Sequence, residues 1–85
     1  MNEKKLKVYG TSWCPDTARS RKCLVRNGVN YDFCDIEQDK VGLAYVEKVN
    51  RGQRSVPTIV FPDGSVLVEP SDEELTTKLK ASGCI

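Results

Sequence analysis

The chain has 85 residues, 39% hydrophobic and 29% charged, which is enough for one hydrophobic core and one domain over 1–85, and too little for two. Thirteen Lys and Arg against twelve Asp and Glu leave a formal charge of +1, so there is no overall field for nucleic acid or an anionic membrane; a monomer that binds neither is expected. The start, Met1 to Lys5, is charged, and no stretch approaches the roughly 20 apolar residues that span a bilayer, so the expected place is the cytoplasm. Four cysteines without an export signal, in a chain with residues enough for regular elements, argue for reduced thiols over a disulfide framework. With no histidine and no Cys-x2-Cys pair, no structural metal site is expected.

Leu6 and Val8 alternate with Lys5, Lys7 and Tyr9, which is the period of a short strand, and Gly10 to Ser12 breaks it. From Pro15 to Asn27 there is no further Pro or Gly, and Asn27-Gly28 is a fitting helix end; the apolar stripe is thin, with Ala18, Cys23, Leu24 and Val25. Val29 to Ile36 puts Tyr31 and Phe33 on one face and Cys34 and Ile36 on the other, as in a strand covered on both sides. Val41, Ala44, Tyr45 and Val49 recur at helical spacing until Asn50-Arg51-Gly52. Thr58 to Phe61, the turn Pro62-Asp63-Gly64-Ser65 and Val66 to Val68 form a hairpin. Ser71 with Glu74 is a capping box for a last helix that buries Leu75 and Leu79. The order is β-α-β-α-β-β-α, without repeat or linker.

Cys14 stands where the first loop meets the first helix, and Pro15 suits the first helical position because its missing N–H would be unpaired there anyway. A thiolate at that place is favoured by free N–H groups and the positive end of the helix dipole, and the thiolate is the attacking species in disulfide exchange. A small residue merely filling the loop–helix junction is the alternative. Thr17, on the first turn, either donates a hydrogen bond to the sulfur or caps the backbone. Cys23 lies about nine helical rises further on, roughly 13 Å away, whereas a disulfide needs Cα atoms within about 7 Å. Cys23 and Cys34 read as inert core thiols, and Cys84 as an exposed thiol in a tail that runs away from Cys14.

Thr11-Ser12-Trp13-Cys14-Pro15, followed about forty residues later by Gly52-Gln53-Arg54-Ser55-Val56-Pro57, resembles the glutaredoxins, and within them the short bacterial mycoredoxin-like group. The likeness covers nearly the whole chain, with the run Tyr31 to Asp39 and the Asp63-Gly64-Ser65 hairpin included. It implies a thioredoxin-like α/β fold, a four-stranded mixed sheet flanked by three helices. It implies that Pro57 is a cis proline facing Cys14, and that the Val56 backbone holds the cysteinyl part of a thiol peptide. The same resemblance sets Thr11, Trp13, Pro15, Arg54 and Ser55 in the substrate site. Ser71 and Asp72 would hold a γ-glutamyl carboxylate at a helix N-terminus, a natural anion site, with capping equally open to Ser71.

Two departures shape the expected chemistry. Thr17 stands where dithiol members carry a second cysteine, so Cys14-Pro15-Asp16-Thr17 implies a monothiol cycle on mixed disulfides of proteins with glutathione or a similar small thiol as co-substrate. Glu69-Pro70 replaces the frequent Gly-Gly, and the lysine common before the nucleophile is missing, with Thr11 as the nearest candidate; Arg51 and Arg54 remain as partners for a ligand carboxylate. The rivals are iron–sulfur cluster binding between two chains, for which Pro15 stiffens the loop that must open, and a non-catalytic redox-sensing or partner-binding module. Visible absorption after anaerobic reconstitution would mark the first, and a Cys14 that alkylates no faster than free cysteine the second. An arsenate-reductase-like enzyme is a further alternative, from Thr17-Ala18-Arg19-Ser20-Arg21, but the Val56-Pro57 region favours the glutaredoxin branch.

Overall fold

The computed structural model describes residues 5–85; the first four residues of the expected domain, and with them all of its charged start but Lys5, lie outside the described residues. The elements are β1 (Leu6–Gly10), α1 (Pro15–Arg26), β2 (Tyr31–Asp35), α2 (Lys40–Val49), β3 (Thr58–Val60), β4 (Val66–Val68) and α3 (Asp72–Ala81), in the expected order. β1 pairs parallel with β2 and antiparallel with β3, and β3 pairs antiparallel with β4, which gives a mixed sheet of order β2-β1-β3-β4. No helix among the described residues is long and apolar enough to cross a membrane.

Alternation along β1 divides the sheet. Leu6 and Val8 face α1 and α3 and join Cys23, Leu24, Ile59, Phe61, Leu75 and Leu79 in the main core, with Tyr31 and Phe33 of β2 packed against it. Tyr9 faces α2 and packs with Ile36 and Val46, flanked by Cys34, as the two-sided reading of β2 requires. Each fully buried large aliphatic or aromatic side chain in such a core contributes about 1.5–3 kcal/mol.

β2 is shorter than the expected Val29–Ile36 because Val29 has another use. Its N–H reaches back to Leu24 O at 3.0 Å while Gly28 takes φ +68, so Val29 closes α1 and leaves the ladder. The buried face of α1 differs too. It is Thr17, Ser20, Cys23 and Leu24, whereas Ala18 and Val25 are exposed, because short side chains let the helix lie close to the sheet where an apolar count sees nothing. In α2 the buried residues are Gly42 and Val46, while Val41, Ala44 and Val49 are exposed and Tyr45 is half-buried. Gly42 decides this rotation: any Cβ there would overlap the Cys34 sulfur, so the helix turns its bare backbone to the sheet. Asp39 caps the same helix, accepting from the Val41 and Gly42 N–H groups at 3.0 Å.

Candidate active site

The end of β1 positions the first half of the site. Gly10 closes the strand against α1, since a Cβ on it would come within 2.6 Å of Thr17 Cγ2 and 2.7 Å of Thr17 Oγ1. Thr17 is accordingly buried, and its hydroxyl makes no hydrogen bond among the described residues. Both roles left open for Thr17, donor to the sulfur and backbone cap, are absent, and its place is that of a packing residue under Gly10.

Cys14 is the N-cap residue of α1, with extended backbone (φ −78, ψ 123), half-buried, and its side chain makes no capping hydrogen bond. Pro15 follows in the first turn. The chain enters the helix through Cys14 N–H to Thr11 O at 3.4 Å, and Ala18 N–H to Cys14 O at 3.0 Å closes the first turn. Among the described residues no side chain caps the donors that an N-cap oxygen would normally satisfy, and a helix start of this kind favours an anion. Asp16, the acidic residue of that turn, is paired with Arg19 at 3.0 Å.

Beside this helix start lies a cavity of about 520 Å³ lined by Thr11, Trp13, Ile36, Glu37, Lys40, Leu43, Arg54 and Val56. It brings together four of the residues the sequence singles out, Thr11, Trp13, Arg54 and Val56. Trp13 is largely exposed and donates from Nε1 to Glu37 Oε2 at 3.0 Å, so the loop before Cys14 is tied to the loop after β2. Thr11 is buried with an unpartnered hydroxyl. Arg54 pairs with Glu47 at 3.2 Å across an exposed surface, a bond worth little to stability. The Val56–Pro57 bond is cis and Pro57 is buried, as the resemblance implies. That loop is held on both sides: Glu69 N–H donates to Pro57 O at 2.9 Å, and Thr58 Oγ1 donates to Ser55 O at 2.7 Å. Arg51 is exposed in the preceding turn at φ +57.

Ser71 and Asp72 do not line this cavity. The capping role is the one Ser71 fills, with Ser71 Oγ accepting from Glu74 N–H at 3.0 Å and Ser71 N–H donating to Glu74 Oε1 at 2.8 Å. Asp72 pairs with Arg26 at 3.2 Å and Arg19 at 3.6 Å, which ties α3 to α1. The residues that sequence reading missed are Glu37, Lys40, Ile36 and Leu43. They follow β2, and only the parallel pairing of Gly10 with Asp35 sets them beside Thr11.

The other cysteines differ from Cys14. Cys23 is fully buried against Thr76 and Asn27. Cys34 is half-buried and donates to Asp39 Oδ2 at 3.4 Å; burial first, then the neighbouring Asp39 carboxylate, pushes its thiol pKa up. Cys84, expected to be exposed, is half-buried because it packs on the main core near Leu6, at the opposite end of β1 from Thr11.

The glutaredoxin family model matches residues 6–67. Rv3198A of Mycobacterium tuberculosis, which carries a glutaredoxin name, is 43% identical over 74 residues, covering 87% of this chain and 88% of its own. Mycoredoxin 1 of Corynebacterium glutamicum is 36% identical over 74 residues, covering 87% and 91%. Among solved structures, the glutaredoxin of Archaeoglobus fulgidus superposes with a TM-score of 0.70 at 28% identity, covering 89% of this chain and 86% of that one. Family and fold together support a thiol oxidoreductase in general, and with Cys14 at the uncapped start of α1 and Trp13 sharing a cavity with Val56 of the cis-proline loop, the chain belongs to the glutaredoxin family, in its mycoredoxin-like branch.

Proposed function

We propose that the protein is a thiol–disulfide oxidoreductase that works through Cys14 alone on mixed disulfides between a protein and glutathione or a similar small thiol. The observation that carries this reading is the uncapped start of α1, where a half-buried cysteine stands beside a cavity walled by Thr11, Trp13 and Val56. A second-cysteine route has little support, since Thr17 occupies the position such a cysteine would need and Cys23 is buried against Thr76. In the first step the Cys14 thiolate attacks the small-thiol sulfur of the mixed disulfide. The old S–S bond breaks, the protein leaves as its thiolate, and Cys14 keeps the small thiol. A second small-thiol thiolate then attacks that sulfur, leaves as the oxidised dimer of the small thiol, and returns Cys14 to a thiolate. Over the cycle one small thiol is oxidised and one protein sulfur is reduced, as the disulfide passes from the mixed pair to the small-thiol dimer, so electrons balance. A reducing compartment, the cytoplasm, suits four free cysteines.

The reduced protein incubated with oxidised glutathione is expected to gain one adduct, mapped to Cys14 and removed by excess reduced glutathione. Cys14→Ser should take no adduct and lower turnover to the uncatalysed rate. An adduct on Cys34 or Cys23 in place of Cys14 overturns the reading.

A further inference from the structure

A second cavity, about 540 Å³, lies along α1 and is lined by Ala18, Arg21, Lys22, Val25, Arg26 and Tyr31. Half of these residues are cations and none is an acid. Cys14, Ala18, Lys22 and Arg26 follow at steps of four, so they form one stripe about 18 Å long that descends from the nucleophile. Val25 is 66% exposed, a bare apolar side chain among these charges. The far wall is β2, which among the described residues pairs with β1 alone and is an edge of the sheet. Arg21 donates to Tyr31 OH at 3.0 Å and lies 3.9 Å from the Phe33 ring centre, which holds that wall in place. Lys22 makes no ion pair among the described residues, and Arg26 shares Asp72 with Arg19.

The geometry points to this groove as the docking surface for the protein half of the mixed disulfide, and to an acidic, amphipathic segment as the part it receives. The inference rests on the proposed function for the disulfide itself, while the groove is defined independently by its charge and apolar floor. A protein segment is favoured over nucleic acid or membrane because Val25 and Ala18 need apolar cover and the chain's net charge is only +1. Any protein cross-linked to Cys14 lies at the head of the stripe. Like charges repel basic partners and the cations attract acidic ones, so selection acts mainly on association rate and on ionic-strength dependence.

The test uses the full chain with two exposed substitutions, Lys22→Glu and Val25→Ser, neither of which belongs to the site around Cys14. The probe is a synthetic glutamate- and leucine-rich helical peptide carrying one cysteine in mixed disulfide with glutathione; a neutral tripeptide mixed disulfide is the control. The double variant should lose about tenfold in kcat/KM on the acidic peptide, through KM, and keep its rate on the tripeptide; added salt should erase the difference. Titrating the reduced-cysteine peptide into Cys14→Ser protein should shift amide resonances of residues 18–26. Equal rates on the peptide for both proteins, peptide shifts that leave residues 18–26 and Tyr31 unmoved, or equally strong binding of an anionic vesicle or oligonucleotide overturns the inference. Shifts at 18–26 without turnover by the native protein would sink the proposed function and leave the docking surface standing.

Discussion

On one face of the sheet, eight buried residues from β1, β3, α1, α3 and Phe61 form a continuous core; on the other, Tyr9, Ile36 and Val46 suffice. The smaller face is held by other means. Gly42 brings α2 into contact with the sheet, Asp39 caps that helix, and the Tyr9 and Tyr45 rings stack with centres 5.0 Å apart. The difference matters for function because the thinner face carries Glu37, Lys40 and Leu43, which line the cavity beside Cys14. Burial is concentrated on one side, and residues that line the cavity stand on the other.

Cutting the large core should have the greatest effect. Leu75→Ala, at a fully buried position, is expected to cost about 2–5 kcal/mol in denaturant unfolding. The reactivity of Cys14 in the remaining folded molecules should be unchanged. A loss comparable to that of Val46→Ala would erase the distinction between the two faces.

Gly42→Ala is the matching change on the thin face. Overpacking against Cys34 costs about 1–3 kcal/mol, and better helix propensity returns about 1 kcal/mol, so the net loss should be at most about 2 kcal/mol. Because α2 carries Lys40 and Leu43, KM for a mixed disulfide should rise several-fold with kcat little changed.

Acid should find the thin face first. The Gly42 N–H bond, followed by the Cys34 thiol, holds the Asp39 carboxyl below the usual carboxylate range. A depressed folded value means the contribution is present above the unfolded value, about 3.9, and is lost as pH falls through the folded one. Asp39→Asn keeps a capping oxygen without the charge, so it should be slightly less stable than the native protein at neutral pH and converge with it on acidification. Asp39→Ala should lower the melting temperature by a few degrees at neutral pH. Thermal melts between pH 2 and 7 distinguish the three proteins.

The smallest effect compares sulfurs. With its thiol pKa pushed up by burial and Asp39, Cys34 should alkylate more slowly at pH 8 than free cysteine and well after Cys14. Timed labelling and peptide mapping measure the order, and prior labelling of Cys34 would remove the contrast between the two sites.

Much of this molecule is written in local pattern. Alternation at Leu6 and Val8, the Asn27-Gly28 and Asn50-Arg51-Gly52 stops, the Asp63-Gly64-Ser65 turn and the Ser71/Glu74 box each act within a few residues, so the element order and the place of Cys14 at a helix start follow from neighbours in the chain. Which side of a helix is buried does not follow. Thr17 and Ser20 lie under α1 and Gly42 under α2 because small side chains permit close approach, a property of the facing surface that no apolar count contains. The cavity beside Cys14 is likewise tertiary: Glu37 reaches Trp13, and Lys40 reaches the same wall, only because β1 and β2 pair in parallel across a helical crossover. Short-range chemistry put Cys14 at a helix start, and long-range strand pairing built its surroundings, because the groups that line the cavity come from segments separated in the chain and joined only by the fold.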